Sequence, residues 1–152
     1  MKNTEIVYAN EFSNKLLNLR WLSKKHLAEE LATYQLTPSQ YVTIKTIADQ
    51  PQGIKMSVLA KQAHQVSATM TGIIDRLESQ NLVIRYRVET DRRSVYVQLT
   101  DEGQLLLKQI SAAKTVKFKE ILDRLSDEEK ELLFNVIDTA TTYFSENLRG
   151  NS

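Results

Sequence analysis

The chain has no cysteine. Disulfides, thiolate zinc sites, iron–sulfur clusters and thiol-based redox sensing by its own residues are therefore excluded. Breakers are scarce, with 4 Gly and 2 Pro among 152 residues. The long spans between them are rich in Leu, Lys, Glu, Gln and Ala, a composition that predicts mostly helix. No apolar run approaches the roughly 20 residues that cross a bilayer, and the opening M-K-N-T-E-I-V-Y-A-N lacks an apolar signal core, so a cytoplasmic protein with no membrane partner is expected. Catalytic signatures are missing too. There is no G-x-S-x-G, Walker loop, Rossmann fingerprint or H-E-x-x-H, and the scattered carboxylates read as solvated helix faces, so no enzyme is expected. The two histidines, His26 near Glu29 and Glu30, and His64 at a turn, lack cysteine partners. They read as surface side chains, and neither metal nor cofactor is expected.

What is present is unevenly charged. Residues 51–100 carry seven cations (Lys55, Lys61, Arg76, Arg85, Arg87, Arg92 and Arg93) against four acids, while residues 101–152 are net acidic. The middle of the chain is thus the part suited to a polyanion, although an excess of this size is common on neutral surfaces.

Phe12, Leu16, Leu19, Leu27 and Leu31 recur at roughly helical spacing, which predicts one long helix over about 5–35, its apolar face widened by Trp21 and Leu22. Thr37-Pro38-Ser39-Gln40 supplies an N-cap, a proline at the first helical position and a glutamine at the third. The helix it opens runs to about Ala48, buries Tyr41, Ile44 and Ile47, and stops at Asp49-Gln50-Pro51-Gln52-Gly53. A short helix over about 56–63 and another over about 67–80 follow, joined by a turn at His64-Gln65. The second has a stripe of Val66, Met70, Ile73, Ile74 and Leu77 that is expected to be buried.

Its opposite face holds Ser67, Ala68, Thr69, Thr71, Gly72 and Arg76, all small except the last. A solvated face would carry Lys and Glu, and this one looks cleared for close approach. Two helices joined by a tight turn, the second with a small polar outer face, describe a helix-turn-helix whose second helix enters a DNA major groove. Strands are expected at Val83–Val88 and Val95–Leu99, linked by the charged tip Glu89-Thr90-Asp91-Arg92-Arg93, which makes the unit a winged helix. Tyr86 and Tyr96 are expected to stack within the wing, and Arg85 and Arg87 to form surface or salt-bridge contacts. Thr100-Asp101-Glu102-Gly103 then caps a helix continuing through Leu125. Ser126-Asp127-Glu128-Glu129 opens a last helix with more apolar residues than a lone surface helix needs.

These residues resemble the MarR family of bacterial regulators over nearly the whole chain. The wing segment Asp91-Arg92-Arg93-Ser94-Val95-Tyr96-Val97-Gln98-Leu99-Thr100 fits the pattern D-R-R-x-x-x-V-x-L-T, followed by Glu102-Gly103. Upstream, Leu59-Ala60, Asp75-Arg76-Leu77-Glu78 and Leu82-Val83 fit as well. The chain departs from the pattern at Lys55, where a capping Thr or Ser is usual, and at His64 and Asn81, where Gly is common; Asn tolerates left-handed geometry better than most residues. The resemblance implies a mainly α fold with a small β-hairpin wing, forming one domain over 1–152. Within it, 37–100 would be the winged helix-turn-helix lobe, and 5–35 with 101–147 the dimerisation helices.

It further implies a pyramidal homodimer on a palindromic operator, with repression relieved by a small molecule, such as a phenolic or other aromatic effector. A pocket at the dimer interface would be lined by Phe12, Trp21, Tyr34 or Tyr41, although aromatics at helical spacing are more often core. Double-stranded DNA would meet Gln65, Ser67, Ala68, Thr69, Thr71 and Gly72 at the major groove, with Arg76 further along reaching phosphate or pairing with a neighbouring acid, and a wing arginine in the minor groove, where negative potential is enhanced. The pattern puts Arg92 in that groove with Asp91 bracing Arg93, and the two arginines can exchange roles. The competing reading is a winged-helix interaction module without DNA binding, which an acidic or apolar outer face would favour.

Overall fold

The computed structural model describes residues 2–63, 65–89 and 91–149, without the side chains of residues 2, 3, 91, 92, 148 and 149. In chain order the elements are α1 (Lys2–Thr33), α2 (Pro38–Ala48), β1 (Ile54–Lys55), α3 (Met56–Gln62), α4 (Ser67–Ser79), β2 (Val83–Val88), β3 (Asp91–Leu99), α5 (Asp101–Leu122) and α6 (Asp127–Arg149). They fall into two compact units, residues 1–108 and 109–152.

Local chemistry sets the boundaries in the first unit. Leu36 N–H donates to the Leu31 carbonyl at 3.0 Å while Gln35 adopts φ 56°, so α1 ends in a left-handed turn that places Leu31 and Leu36 together in the core. Just beyond it, Thr37 Oγ1 accepts from Gln40 N–H (3.2 Å) and Gln40 Oε1 accepts from Thr37 N–H (2.8 Å), the reciprocal cap expected from the sequence. The end of α4 repeats the left-handed device at Asn81, φ 58°, with Leu82 N–H donating to the Leu77 carbonyl at 2.9 Å. Around these caps Ile44, Ile47, Leu59, Met70, Ile74, Leu77, Val83 and Val97 are buried together as the core of α2, α3, α4 and the sheet.

The sheet has three antiparallel strands in the order β1-β3-β2. β1, absent from the sequence reading, is two residues long, pairing Ile54 with Val97 and Lys55 with Tyr96. β3 begins at Asp91, four residues earlier than the alternation suggested. Val88 pairs with Asp91 and Tyr86 with Tyr96, so β3 spends residues 92–95 where β2 spends only Arg87. Of the charged segment assigned to the hairpin tip, Asp91-Arg92-Arg93 therefore belongs to the bulged start of β3, while Glu89 lies in the turn. Bulges of this kind bend a strand and raise its twist. Val66, expected in the buried stripe, is not part of it. It is 70% exposed, because the helix begins one residue later and Val66 is its extended N-cap.

Three fixings hold the sheet to its surroundings. Tyr86 Oη donates to the Gln52 carbonyl at 2.6 Å, and Gln98 Nε2 donates to the Pro51 carbonyl at 2.9 Å. Gly53, at φ 85°, lies so close under Tyr86 Oη that a Cβ would collide with it. At the start of α5, Thr100 Oγ1 donates to the Asn81 carbonyl (2.7 Å) and accepts from Gly103 N–H (3.0 Å). Gly103 is pressed against the Leu82 carbonyl, leaving no room for a Cβ.

In the second unit, α6 opens on a reciprocal cap. Ser126 Oγ accepts from Glu129 N–H (3.2 Å), and Glu129 Oε2 accepts from Ser126 N–H (2.8 Å). α5 ends at Leu122, so Leu125, expected on the helix, lies in the turn before that cap. Leu132, Phe134, Val136, Ile137, Tyr143 and Phe144 of α6 are all exposed. So, in the first unit, are Phe12, Leu16, Leu19, Trp21 and Leu22 of α1. Among the described residues, no helix is long and apolar enough to cross a membrane.

Candidate nucleic-acid interface

α4 divides cleanly. Met70, Ile73, Ile74 and Leu77 are buried, while Ser67, Ala68, Thr69, Thr71, Gly72 and Arg76 are all exposed on the other side. The split follows from the 3.6-residue period, which gathers positions three and four apart on one face and leaves those between them on the other. Gly72 has open space where a Cβ would stand, so the helix backbone itself is accessible there. Thr71 Oγ1 donates back to the Ser67 carbonyl at 3.0 Å, which leaves its methyl and oxygen lone pairs for a partner. Gln65 is half-buried, and its N–H is spent on the Ala60 carbonyl at 2.8 Å, fixing the turn between α3 and α4. Among the described residues, no side chain caps the N-terminus of α4.

Two grooves flank this face. One, of about 250 Å³, is lined by Thr37 and Gln40 at the start of α2 together with Thr69, Gly72, Ile73 and Arg76. Nothing in the sequence signals that the start of α2 lies beside the outer face of α4, because that adjacency is purely tertiary. The other, of about 520 Å³, runs between α4 and the wing; Lys55, Thr71, Asp75, Arg85 and Arg93 are among its walls. Among the described residues, neither Arg76 nor Arg93 has an ion-pair partner. The side chains of Asp91 and Arg92, and all of His64, lie outside the described residues.

Arg85 is spent internally, as expected of a salt-bridge residue. It reaches Asp75 Oδ1 at 2.5 Å and Glu78 Oε2 at 2.6 Å. On the opposite face of β2, Tyr86 stacks on Tyr96 with ring centroids 5.7 Å apart, and Lys55 Nζ lies 5.6 Å from the Tyr96 ring centre. The stacking of the tyrosines was legible in the sequence; the lysine joining them was not, because β1 was not.

The four aromatics suggested for an effector pocket differ in exposure. Phe12 and Trp21 are exposed on α1, nine positions or ~13.5 Å of helix rise apart, Tyr34 is half-buried beyond its end, and Tyr41 is buried on α2. A separate cleft of about 310 Å³ has Ile47, Pro51, Gln98, Leu99, Gln104 and Leu107 among its walls. Among the described residues, no cluster of His, Asp and Glu could hold a metal ion.

A family model described as the MarR family matches residues 36–95, the segment that carries α2, the helix-turn-helix and most of the wing. The transcriptional regulator HosA of Escherichia coli is 34% identical over 120 residues, which span 78% of this chain and 88% of HosA. In structure the chain is similar to a mutant form of MepR from Staphylococcus aureus (TM-score 0.81, 20% identity, 87% of this chain and 97% of that one). It is also similar to Streptococcus pneumoniae FabT, solved in complex with DNA (TM-score 0.78, 20% identity, 91% and 98%). At 20% identity these two likenesses speak for the fold, which is the winged helix inferred above. With the family model on the helix-turn-helix and the HosA match longer than the first unit alone, the chain belongs to the MarR family and is a transcriptional regulator, not an enzyme.

Proposed function

We propose that the chain represses transcription by binding a palindromic operator as a homodimer, with α4 of each copy in a major groove and a wing arginine in the adjacent minor groove. The observation that carries this reading is the outer face of α4: six exposed residues, five of them small, ending in Arg76, which has no ion-pair partner among the described residues. Such a face admits the edges of base pairs, with hydroxyls and threonine methyls for bases and arginine for phosphate. Arg93, also unpaired among the described residues, supports the wing half of the reading. The exposed apolar residues of α1 and of α6 support the dimer, since each set is larger than a solvated helix leaves in water. Release by a small phenolic or other aromatic effector belongs to the same proposal. Its pocket would be completed between copies, because Phe12 and Trp21 stand exposed on α1.

Fluorescence anisotropy with the protein's own upstream DNA and a scrambled duplex, at two salt concentrations, tests the reading. Tight, sequence-selective, salt-sensitive binding that is lost in the Arg92→Ala, Arg93→Ala double variant is expected. Equal, weak binding to both duplexes, followed by failure to enrich any sequence in a genome-wide selection, would leave the protein-interaction module as the better account.

A further inference from the structure

Arg85 grips α4 along much of its exposed edge. Its Nη2 donates to the Thr71 carbonyl (3.3 Å) and to Asp75 Oδ1 (2.5 Å), and its Nη1 donates to Glu78 Oε2 (2.6 Å). Thr71, Asp75 and Glu78 are spaced i, i+4 and i+7, so a single planar guanidinium spans two turns of one helix edge. The carboxylate of Glu78 also returns to β2, accepting from Arg85 N–H at 3.2 Å. The side chain of Arg85 is 25% exposed, which leaves these charge-assisted bonds partly shielded from water and salt.

A single arginine on a surface needs no such fastening for stability. Exposed ion pairs contribute little, and the hydrophobic core already joins α4 to the sheet through Ile74, Leu77, Val83 and Val97. What the bracket adds is a fixed orientation. The core is non-directional and holds the base of the wing, whereas Arg85, paired with Val97 two residues before the position that faces the bulged segment 92–95, ties β2 to the edge of the helix beside its DNA face.

We propose that Arg85 is a positioning residue that locks the wing to α4, so that wing and helix meet their two grooves as one rigid reader. The proposal rests on the DNA-binding reading above. Its first readout, however, needs no DNA. In Arg85→Gln, backbone amides of β2 and β3 should exchange with deuterated solvent about tenfold faster, roughly the loss of a charge-assisted hydrogen bond, while those of α4 keep their protection. Unchanged exchange in the wing would overturn the bracket whether or not the protein binds DNA.

The second readout is a double-mutant cycle on a selected operator. Arg93→Ala should weaken binding about tenfold in the wild type and less than about twofold in Arg85→Gln, because a wing that is no longer held gains little from its arginine. Arg76→Gln, on α4 itself, should cost the same factor in both backgrounds. Additive losses for Arg93→Ala would overturn the positioning role even if the exchange result held.

Glu78→Ala separates positioning from simple charge and covers the case in which Arg85→Gln folds poorly. Removing an acid beside the DNA face strengthens binding if charge alone matters, whereas losing one arm of the bracket weakens it. Tighter binding by Glu78→Ala would count against the proposal. If the wild type shows no salt-dependent DNA binding at all, the functional reading fails, and the exchange experiment still decides the bracket.

Discussion

A glycine in the middle of an exposed helix costs stability, and Gly72 gets nothing back from packing. No atom lies near the position of its missing Cβ, so Gly72→Ala should raise the stability of the free protein by about 0.5–1 kcal/mol in urea unfolding. If close approach to DNA is the reason for glycine there, the same variant should bind its operator more weakly, with stability and affinity moving in opposite directions. An increase in both would remove Gly72 from the interface. Gly103 gives the contrast: a Cβ there meets the Leu82 backbone, which cannot rotate away, and Gly103→Ala should destabilise by about 1–3 kcal/mol. Val66 is a residue that periodicity assigned to the core. At 70% exposure, Val66→Ala should change stability by less than about 0.5 kcal/mol in the same measurement, far below the cost of truncating a buried valine.

Elements were legible where their ends are written locally. The caps at Thr37, Thr100 and Ser126 are side-chain chemistry within four residues, and α2, α5 and α6 start where those residues led us to expect. The face of α4 was legible because a 3.6-residue stripe and its small opposite side are properties of one segment. β1 was not, since two residues cannot show an alternation, and its existence depends on Val97 and Tyr96 lying alongside. The early start of β3 was hidden because Asp91-Arg92-Arg93 looks like a solvated tip, and a bulge lets such residues join a strand without regular alternation. The start of α2 is held by a capping box. Its two halves are reciprocal, so Thr37→Ala and Gln40→Ala should each cost about 1 kcal/mol in urea unfolding, and the double variant less than the sum of the two. Additive costs would mean that the two bonds form independently. At the start of α6, the hydrogen bond and charge of Lys130 hold the Asp127 carboxyl below its ordinary range. Its contribution is present above the unfolded pKa and is lost as pH falls through the lower folded value.

At the scale of the whole molecule, the division of labour follows the charge. The middle of the chain carries the cationic excess and the candidate DNA face, whereas residues 101–152 are net acidic, and α6 displays Val136, Ile137 and Phe144 to solvent in the single chain. An acidic region with an exposed apolar face is poorly suited to DNA and well suited to a second copy of itself. A chain of 17.5 kDa should therefore sediment at about twice that mass, and Ile137→Asp, which sets a carboxylate among apolar side chains, should shift it toward the monomer. The salt dependence of binding then counts the lobes. Each neutralised phosphate contributes about −0.9 to the slope of log affinity against log salt, so a dimer on a palindrome should show roughly twice the slope of one lobe on a half-site. Measured on the full operator, Ile137→Asp should lose affinity steeply and keep about half the wild-type slope, because each surviving contact is still made but without the partner's share. An unchanged slope with a monomeric variant would mean that only one lobe of the wild-type dimer touches DNA, and the palindromic reading would have to be given up for a single-site one.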